Sequence, residues 1–194
     1  MVSKDQVRGE VLERRKARSP EEMARAGAAL AERVLALWEP IAAEGGTRVA
    51  CYLGFGNEPP TTETIDALCK HQAEVIVPVV LSGGVLDWTA YHPDGETATN
   101  RYGIAEPTGP RLGAEALDEV DLVVVPGLAV DPQGHRLGRG AGFYDRALAR
   151  IGSDVPRAIL LYETEVLGSV PHEEHDERVD VALTPSWTLQ LWPR

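Results

Sequence analysis

Apolar positions along this chain follow two rhythms: short continuous runs, and longer stretches in which they recur at helical spacing. The runs at 47–53 (TRVACYL), 74–81 (EVIVPVVL), 122–125 (LVVV) and 157–162 (RAILLY) are short and aliphatic. They read as strands covered on both faces, the pattern of a parallel sheet. Residues 85–91 alternate instead, with Leu86, Trp88 and Ala90 on one face, and a short final strand falls near 179–184. Between these runs, 4–18 reads as an amphipathic helix. A second helix starts at Ser19-Pro20-Glu21-Glu22, where a serine cap, a proline at the first helical position and a glutamate at the third make a capping box; Met23, Ala31, Val34, Leu35 and Trp38 supply its buried face. A third begins at Thr61 or Thr62 and turns Ile65, Leu68 and Cys69 inward. Ser82-Gly83-Gly84 reads as a turn, and 92–109 (HPDGETATNRYGIAEPTG) has no periodicity and many turn formers, so a long loop is expected. Strands alternating with helices predict an α/β fold with a mainly parallel sheet and its site along the carboxyl edge.

The chain is organised around residues 121–146, DLVVVPGLAVDPQGHRLGRGAGFYDR. An apolar strand ends at Pro126 and opens into a segment where Gly134, Gly138, Gly140 and Gly142 lack a Cβ, so backbone N–H groups can approach an oxyanion closely. Arg136 and Arg139 add fork-shaped donors suited to phosphate oxygens. Phe143, Ala147, Leu148 and Ile151 lie near helical spacing, so the loop feeds a helix whose positive end faces the same anion. Asp145 falls in its first turn, where a carboxylate beside phosphates is placed to hold magnesium. The segment therefore reads as a phosphate cradle, with a mobile surface loop as the plainer alternative. It is neither G-x-G-x-x-G nor G-x-x-x-x-G-K-[ST].

Composition narrows the function classes. The 194 residues suit one domain over 1–194, and 43% hydrophobic with 25% charged residues is ordinary for a globular protein. A formal charge of -11 disfavours nonspecific nucleic-acid or anionic-membrane binding, so an anionic substrate needs a local basic patch. Cys51 and Cys69 make no disulfide framework or metal spacing and read as reduced, buried thiols. The beginning MVSKDQVRGE has no hydrophobic core of signal-peptide length, and no apolar run approaches the ~20 residues that span a bilayer. A cytoplasmic location is expected. The basic patch has one further candidate source, since Lys4, Arg8, Arg15 and Arg18 fall on roughly one helical stripe; a solvated helix face is the alternative.

The string R-L-G-x-G-x-G-[FY]-Y-D-R at 136–146, preceded by P-G-x-A-x-D-x-x-G at 126–134, closely resembles the signature of the 5-formyltetrahydrofolate cyclo-ligase (methenyltetrahydrofolate synthetase) family. The resemblance extends from Lys4 to about Asp180. It implies a Rossmann-like (NagB-like) single-domain architecture, ATP as co-substrate and magnesium as metal. It further implies that Lys4 and Arg8, which match a K-x-x-[LV]-R element, bind ATP phosphates together with Arg136, Leu137, Gly138, Arg139, Gly140, Ala141, Gly142, Phe143 and Tyr144. Leu53 and Glu58 resemble the pair that follows the first strand and contacts folate; by position alone a glutamate such as Glu58 is more often a solvated loop acid. Arg139, Gly140, Ala141, Gly142 and Phe143 would touch both substrates. Tyr102, in an element similar to [FY]-G-I-x-E-P, would stack on a planar ring or simply pack its loop. Asp180, in an H-D-x-x-[VL]-D-like element, would hold magnesium with Asp145, and Asp176 is the second choice; His172, His175 and Asp176 also invite a transition-metal reading.

The implied reaction turns 5-formyltetrahydrofolate and ATP into 5,10-methenyltetrahydrofolate, ADP and phosphate, with Arg139 and Asp145 as the catalytic residues. Only small-molecule partners, no nucleic acid or membrane, and a monomer are expected. Ala141 stands where some relatives carry a lysine, removing one phosphate-directed charge. Two other functions remain open: a sugar-phosphate isomerase of similar architecture, and a noncatalytic folate or nucleotide sensor.

Overall fold

Five of the apolar runs assemble, in a computed structural model that describes residues 2–81, 85–100 and 103–191, as the parallel centre of a seven-stranded sheet. The elements in chain order are α1 (Lys4–Lys16), α2 (Pro20–Ala43), β1 (Arg48–Cys51), α3 (Thr62–Lys70), β2 (Glu74–Val80), β3 (Leu86–Ala90), β4 (Thr97–Thr99) and β5 (Ala105–Pro107). After a short 3-10 turn follow β6 (Leu122–Pro126), β7 (Ala129–Val130), β8 (Arg136–Leu137), α4 (Phe143–Leu148), β9 (Arg157–Leu160), β10 (Val181–Leu183) and β11 (Thr188–Gln190). The sheet runs β11-β10-β9-β6-β1-β2-β3, with β3 and β11 antiparallel at its two edges.

Alternation along each strand sorts the core into two layers. Val49, Cys51, Val75, Val77, Val124 and Leu160 point to the face covered by α2 and α3, where Leu30, Val34, Trp38, Ile65 and Leu68 meet them. Ala50, Ile76, Val123, Val125 and Ile159 point to the other, covered by α4 and the 3-10 turn through Leu117, Leu148 and Ile151. Strands buried on both faces leave no polar side to alternate, which is why they read as unbroken apolar runs. The α2 capping box forms as expected, Ser19 Oγ accepting from Glu22 N at 3.2 Å and Glu22 from Ser19 N at 2.8 Å. Met23, Leu35 and Cys69 are only half-buried.

The order of strands creates a switch point. From β1 the chain passes through α3 to β2 on one side, whereas β6 pairs on the other side of β1 and leads away to β9. Beyond the carboxyl ends of β1 and β6 a crevice opens where the connections diverge, the place at which open α/β sheets bind ligands.

Three expectations need correction. The stretch from Pro126 to the glycine loop holds a two-stranded ribbon, β7–β8, and Gly134 belongs to its turn rather than to a phosphate cradle: its N–H bonds to Asp131 O at 2.9 Å and its backbone approaches Val179 O. The long loop carries a second ribbon, β4–β5. The turn at Ser82-Gly83-Gly84 lies outside the described residues. Third, Arg15 is no part of an exposed cationic stripe. It is 1% exposed, pairs with the equally buried Glu165 through two bonds of 2.7 and 2.8 Å, and donates to Gly127 O. Arg18 lies over the Tyr162 ring at 3.7 Å. Helix α1 thus packs Val7 and Val11 on the β7–β8 ribbon while Arg15 fastens it to the end of β6. No helix among the described residues is long and apolar enough to cross a membrane.

Removing one partner of a buried pair strands the other without water, so Arg15→Ala is expected to cost about 3–5 kcal/mol. Replacing both Arg15 and Glu165 by methionine should recover most of that loss in a denaturant titration. Equal destabilisation by the single and double variants would show that packing, not charge, dominates there.

Candidate active site

Residues from several distant places in the chain line one cavity of about 520 Å³ over the switch point, within the usual range of small-molecule sites. Lys4 and Arg8 come from the first turns of α1; Leu53, Phe55 and Glu58 from the loop after β1; Pro78 and Val80 from β2; Ile104 and Glu106 from the β4–β5 ribbon; and the glycine loop from 138–142 with Phe143, Tyr144 and Asp145. Arg136 and Leu137, with Glu173, His175 and Asp176, complete it. Apolar Leu53, Phe55, Pro78, Val80 and Ile104 make up one group of its lining, and the glycines and cations the other.

The glycine loop is shaped by backbone needs. Gly140 has φ +100° and a Cβ there would press the Arg8 guanidinium at 3.3 Å, while Gly142 caps α4 in the left-handed region at φ +67°. Either position suits only a residue without a side chain. Arg8 ties the loop to α1, its Nε donating to Gly138 O at 3.0 Å. At 3.1 Å an Arg146 nitrogen donates to the Ala141 carbonyl.

Each principal carboxylate of the cavity is matched to a cation. Arg139 Nε meets Glu58 Oε1 at 2.9 Å, an Arg136 guanidinium nitrogen meets Asp145 Oδ1 at 2.6 Å, and Lys4 Nζ meets Asp176 Oδ2 at 2.6 Å. Glu58 is 6% exposed and also accepts from Phe55 N at 3.3 Å. Its loop is locked in turn, with Tyr52 Oη donating to Pro59 O, Thr61 Oγ1 donating to Tyr52 O, and Tyr162 Oη reaching Glu58 O at 3.4 Å. The Thr61 hydroxyl is thereby spent on the loop, and α3 starts without a side-chain cap. Arg139 lies over the Phe55 ring at 4.8 Å. Tyr144 buries its hydroxyl beneath the cavity, and burial, reinforced by Cys51 and Glu58 against the opposing pull of Arg136, raises it well above the usual phenol range.

Burial opposes ionisation of Asp176, but hydrogen bonds from Lys4 and from Glu173 N, with the charges of Lys4 and His175, outweigh it and hold its carboxyl below the usual range. Glu106 spans the ribbon and the sheet, accepting from Val80 N at 2.9 Å and Asn100 Nδ2 at 2.7 Å.

Of the residues singled out from sequence, Lys4, Arg8, Leu53, Glu58, the 136–144 string and Asp145 all line this cavity. Asp180 does not, which corrects its expected magnesium role. It precedes β10, accepts from Arg157 N at 2.8 Å and so sits at the amino end of β9 and β10, the opposite edge of the sheet. Four residues can span at most about 13 Å, so Asp176 and Asp180 need not share a site. Tyr102 lies outside the described residues. The transition-metal reading of His172, His175 and Asp176 does not hold as drawn, because His172 turns away to stack on His135 with ring centroids 3.4 Å apart. The close group there is instead Asp131, His135 and His172, in which the Asp131 carboxylate accepts from Gln133 N, His135 N, His135 Nδ1 and Val170 N. Glu106 lies inside the [FY]-G-I-x-E-P-like element but was not singled out within it, and Pro78 and Val80 carried no separable signal, for two core-like strand residues look ordinary until the fold aligns them.

A phosphate-suited glycine loop at the switch point of a doubly wound sheet defines the class, an α/β protein built to receive a phosphorylated small molecule beside an apolar partner. The 5-formyltetrahydrofolate cyclo-ligase family model matches residues 1–185, and the chain belongs to that family. It is similar to the 5-formyltetrahydrofolate cyclo-ligase of Mycolicibacterium smegmatis, 37% identical over 188 residues and 94% of either chain. The Escherichia coli protein of the same name is 31% identical across 91% of this chain and 97% of its own. The solved structure of Aquifex aeolicus 5,10-methenyltetrahydrofolate synthetase superposes with a TM-score of 0.76 at 30% identity, covering 97% of this chain and 92% of that one.

Because Lys4 supplies the donors that offset burial at Asp176, Lys4→Met should raise the Asp176 carboxyl toward or above its ordinary value. The pair stabilises the fold above the unfolded carboxyl value and loses that contribution as pH falls through the lower folded one. Carboxyl NMR titration of the two proteins reads the change directly; coincident titration curves would contradict the pairing.

Proposed function

We propose that this chain, acting as a single domain, catalyses the ATP-dependent cyclisation of 5-formyltetrahydrofolate to 5,10-methenyltetrahydrofolate, with release of ADP and phosphate. The observation that carries the reading is the union, in one cavity, of the glycine loop, four basic side chains, apolar side chains and the buried carboxylate of Glu58.

The chemistry needs that combination. A formyl oxygen is a poor leaving group, so attack by the neighbouring folate nitrogen on the formyl carbon stalls until the oxygen has taken the γ-phosphoryl group. The nitrogen then closes the ring and phosphate departs with the oxygen. Phosphoryl transfer asks the protein chiefly for positioning and charge neutralisation. In this reading Lys4, Arg8 and Arg136, with N–H groups of 138–142, hold the triphosphate. Glu58 accepts from ring N–H and amino groups of the pterin, which lies against Leu53 and Phe55. Arg139, on the glycine loop, is placed to steady the transferring phosphoryl group. Asp145 and Asp176 are both carboxylates of the same cavity, a donor type that suits magnesium, and they would hold it. When bound, the ion neutralises charge on the phosphate oxygens.

An isomerase would need a carboxylate or imidazole poised as acid and base, whereas here Glu58, Asp145 and Asp176 are each engaged by a cation. A noncatalytic sensor would have no need of the carboxylates of Asp145 and Asp176. The chemistry requires neither a nucleic acid nor a membrane, and a cytoplasmic monomer is part of this proposal.

Purified protein mixed with 5-formyltetrahydrofolate, ATP and magnesium should develop the near-ultraviolet band of the methenyl product, and should not when ATP is left out. Asp145→Ala and Asp176→Ala are each expected to lower turnover by about 100-fold or more, several kcal/mol of lost charge stabilisation. Asp180→Ala, at the far edge of the sheet, should weaken the fold while leaving turnover of the folded fraction within about threefold. A variant ranking in which Asp180 outweighs Asp176 would restore the magnesium role to Asp180.

A further inference from the structure

Arg139 serves the transferring phosphoryl group and Glu58 the pterin in the proposed reaction, yet in the structure they hold each other at 2.9 Å. Resting on the proposed reaction, we infer that this ion pair is a switch that couples the two substrates: each one raises the affinity of the site for the other, through Arg139.

The argument is one of partners. Glu58 is 6% exposed, and one of its oxygens takes Arg139 Nε while the other takes Phe55 N. Donors of an incoming ring reach Glu58 by displacing Arg139. A buried carboxylate cannot be left without a partner cheaply, so Arg139 departs only as those donors arrive. The displaced guanidinium then needs an anion. Its side chain is 43% exposed and stands between Gly138 and Gly140, which have no side chains to confine it, so it can turn. Phosphate oxygens in the same cavity match its fork.

Either ligand alone therefore meets a penalty. A pterin alone sends Arg139 into water, and a triphosphate alone either does without Arg139 or strips Glu58 of its cation. With both bound, Arg139 meets phosphate and Glu58 meets the ring, so the pair is broken once and both halves are satisfied. Coupling of this kind is reciprocal by linkage. The contact over Phe55 adds a second consequence, since the ring face held by Arg139 at 4.8 Å is released to the pterin by the same movement. Lys4 and Arg136 are engaged by Asp176 and Asp145, so their exchange involves no group assigned to the folate.

The test measures binding, using protein whose turnover has been checked. Affinity for 5-formyltetrahydrofolate is determined by calorimetry with and without the β,γ-imido analogue of ATP plus magnesium. In the unsubstituted protein the analogue should raise folate affinity by a factor in the range of about 5 to 150. In Arg139→Ala, folate alone should bind at least as tightly as to the unsubstituted protein, and the analogue should change that affinity by less than about twofold. Glu58→Gln frees Arg139 from the other side, so the analogue alone should bind this variant about fivefold or more tighter. Full coupling retained in Arg139→Ala, or no coupling in protein that turns over normally, overturns this inference and leaves the reaction standing. Absence of any folate binding to the unsubstituted protein removes the reaction and this inference together.

Discussion

A charged group placed beside a cavity but away from bulk water must be matched, and that requirement shapes this protein's site. Glu58, Asp145 and Asp176 each face the cavity, and each is met by a cation from a different part of the chain: Arg139 from the glycine loop, Arg136 from β8 and Lys4 from α1. The pairs make the site electrically balanced, and they fasten together segments far apart in sequence. Because each partner has chemistry suited to a substrate or metal, binding becomes an exchange of partners rather than an addition of charge. An acidic chain of net charge -11 can in this way keep basic side chains ready for a polyanion.

The scaffold supplies what such exchange needs. Strands filled on both faces by aliphatic residues give a stiff floor, and the reversal of strand order between β1 and β6 leaves a gap at its carboxyl edge. The loop after β1 is held by Tyr52, Thr61 and Tyr162, so Glu58 stays in place while Arg139 moves. Glu106 plays the matching part on the other wall by joining the β4–β5 ribbon to Val80. The family match runs over residues 1–185 and so takes in every element that lines the cavity.

What the sequence determined by itself was local. Period and composition decide strand or helix, which is why the parallel runs, the Ser19 capping box and the helix after Gly142 stand where expected. The glycine loop was legible because its constraint is backbone geometry: φ values of +100° at Gly140 and +67° at Gly142 leave a direct mark on residue type. The residues of the motif could be placed at one site because a short loop keeps them together whatever the rest of the chain does.

Only the tertiary structure could decide matters of edge and partner. Asp176 and Asp180 are four residues apart and chemically alike, yet one lies at the cavity and the other at the opposite edge of the sheet. Arg8 and Arg15 share a helical stripe, yet one clamps the glycine loop while the other is buried against Glu165, because the ribbon beneath α1 covers only part of its length. The pairing of Arg139 with Glu58 joins residues 81 positions apart. Such contacts depend on which strands become neighbours, a choice made by packing the whole sheet, and no local pattern of hydrophobic and polar residues encodes it.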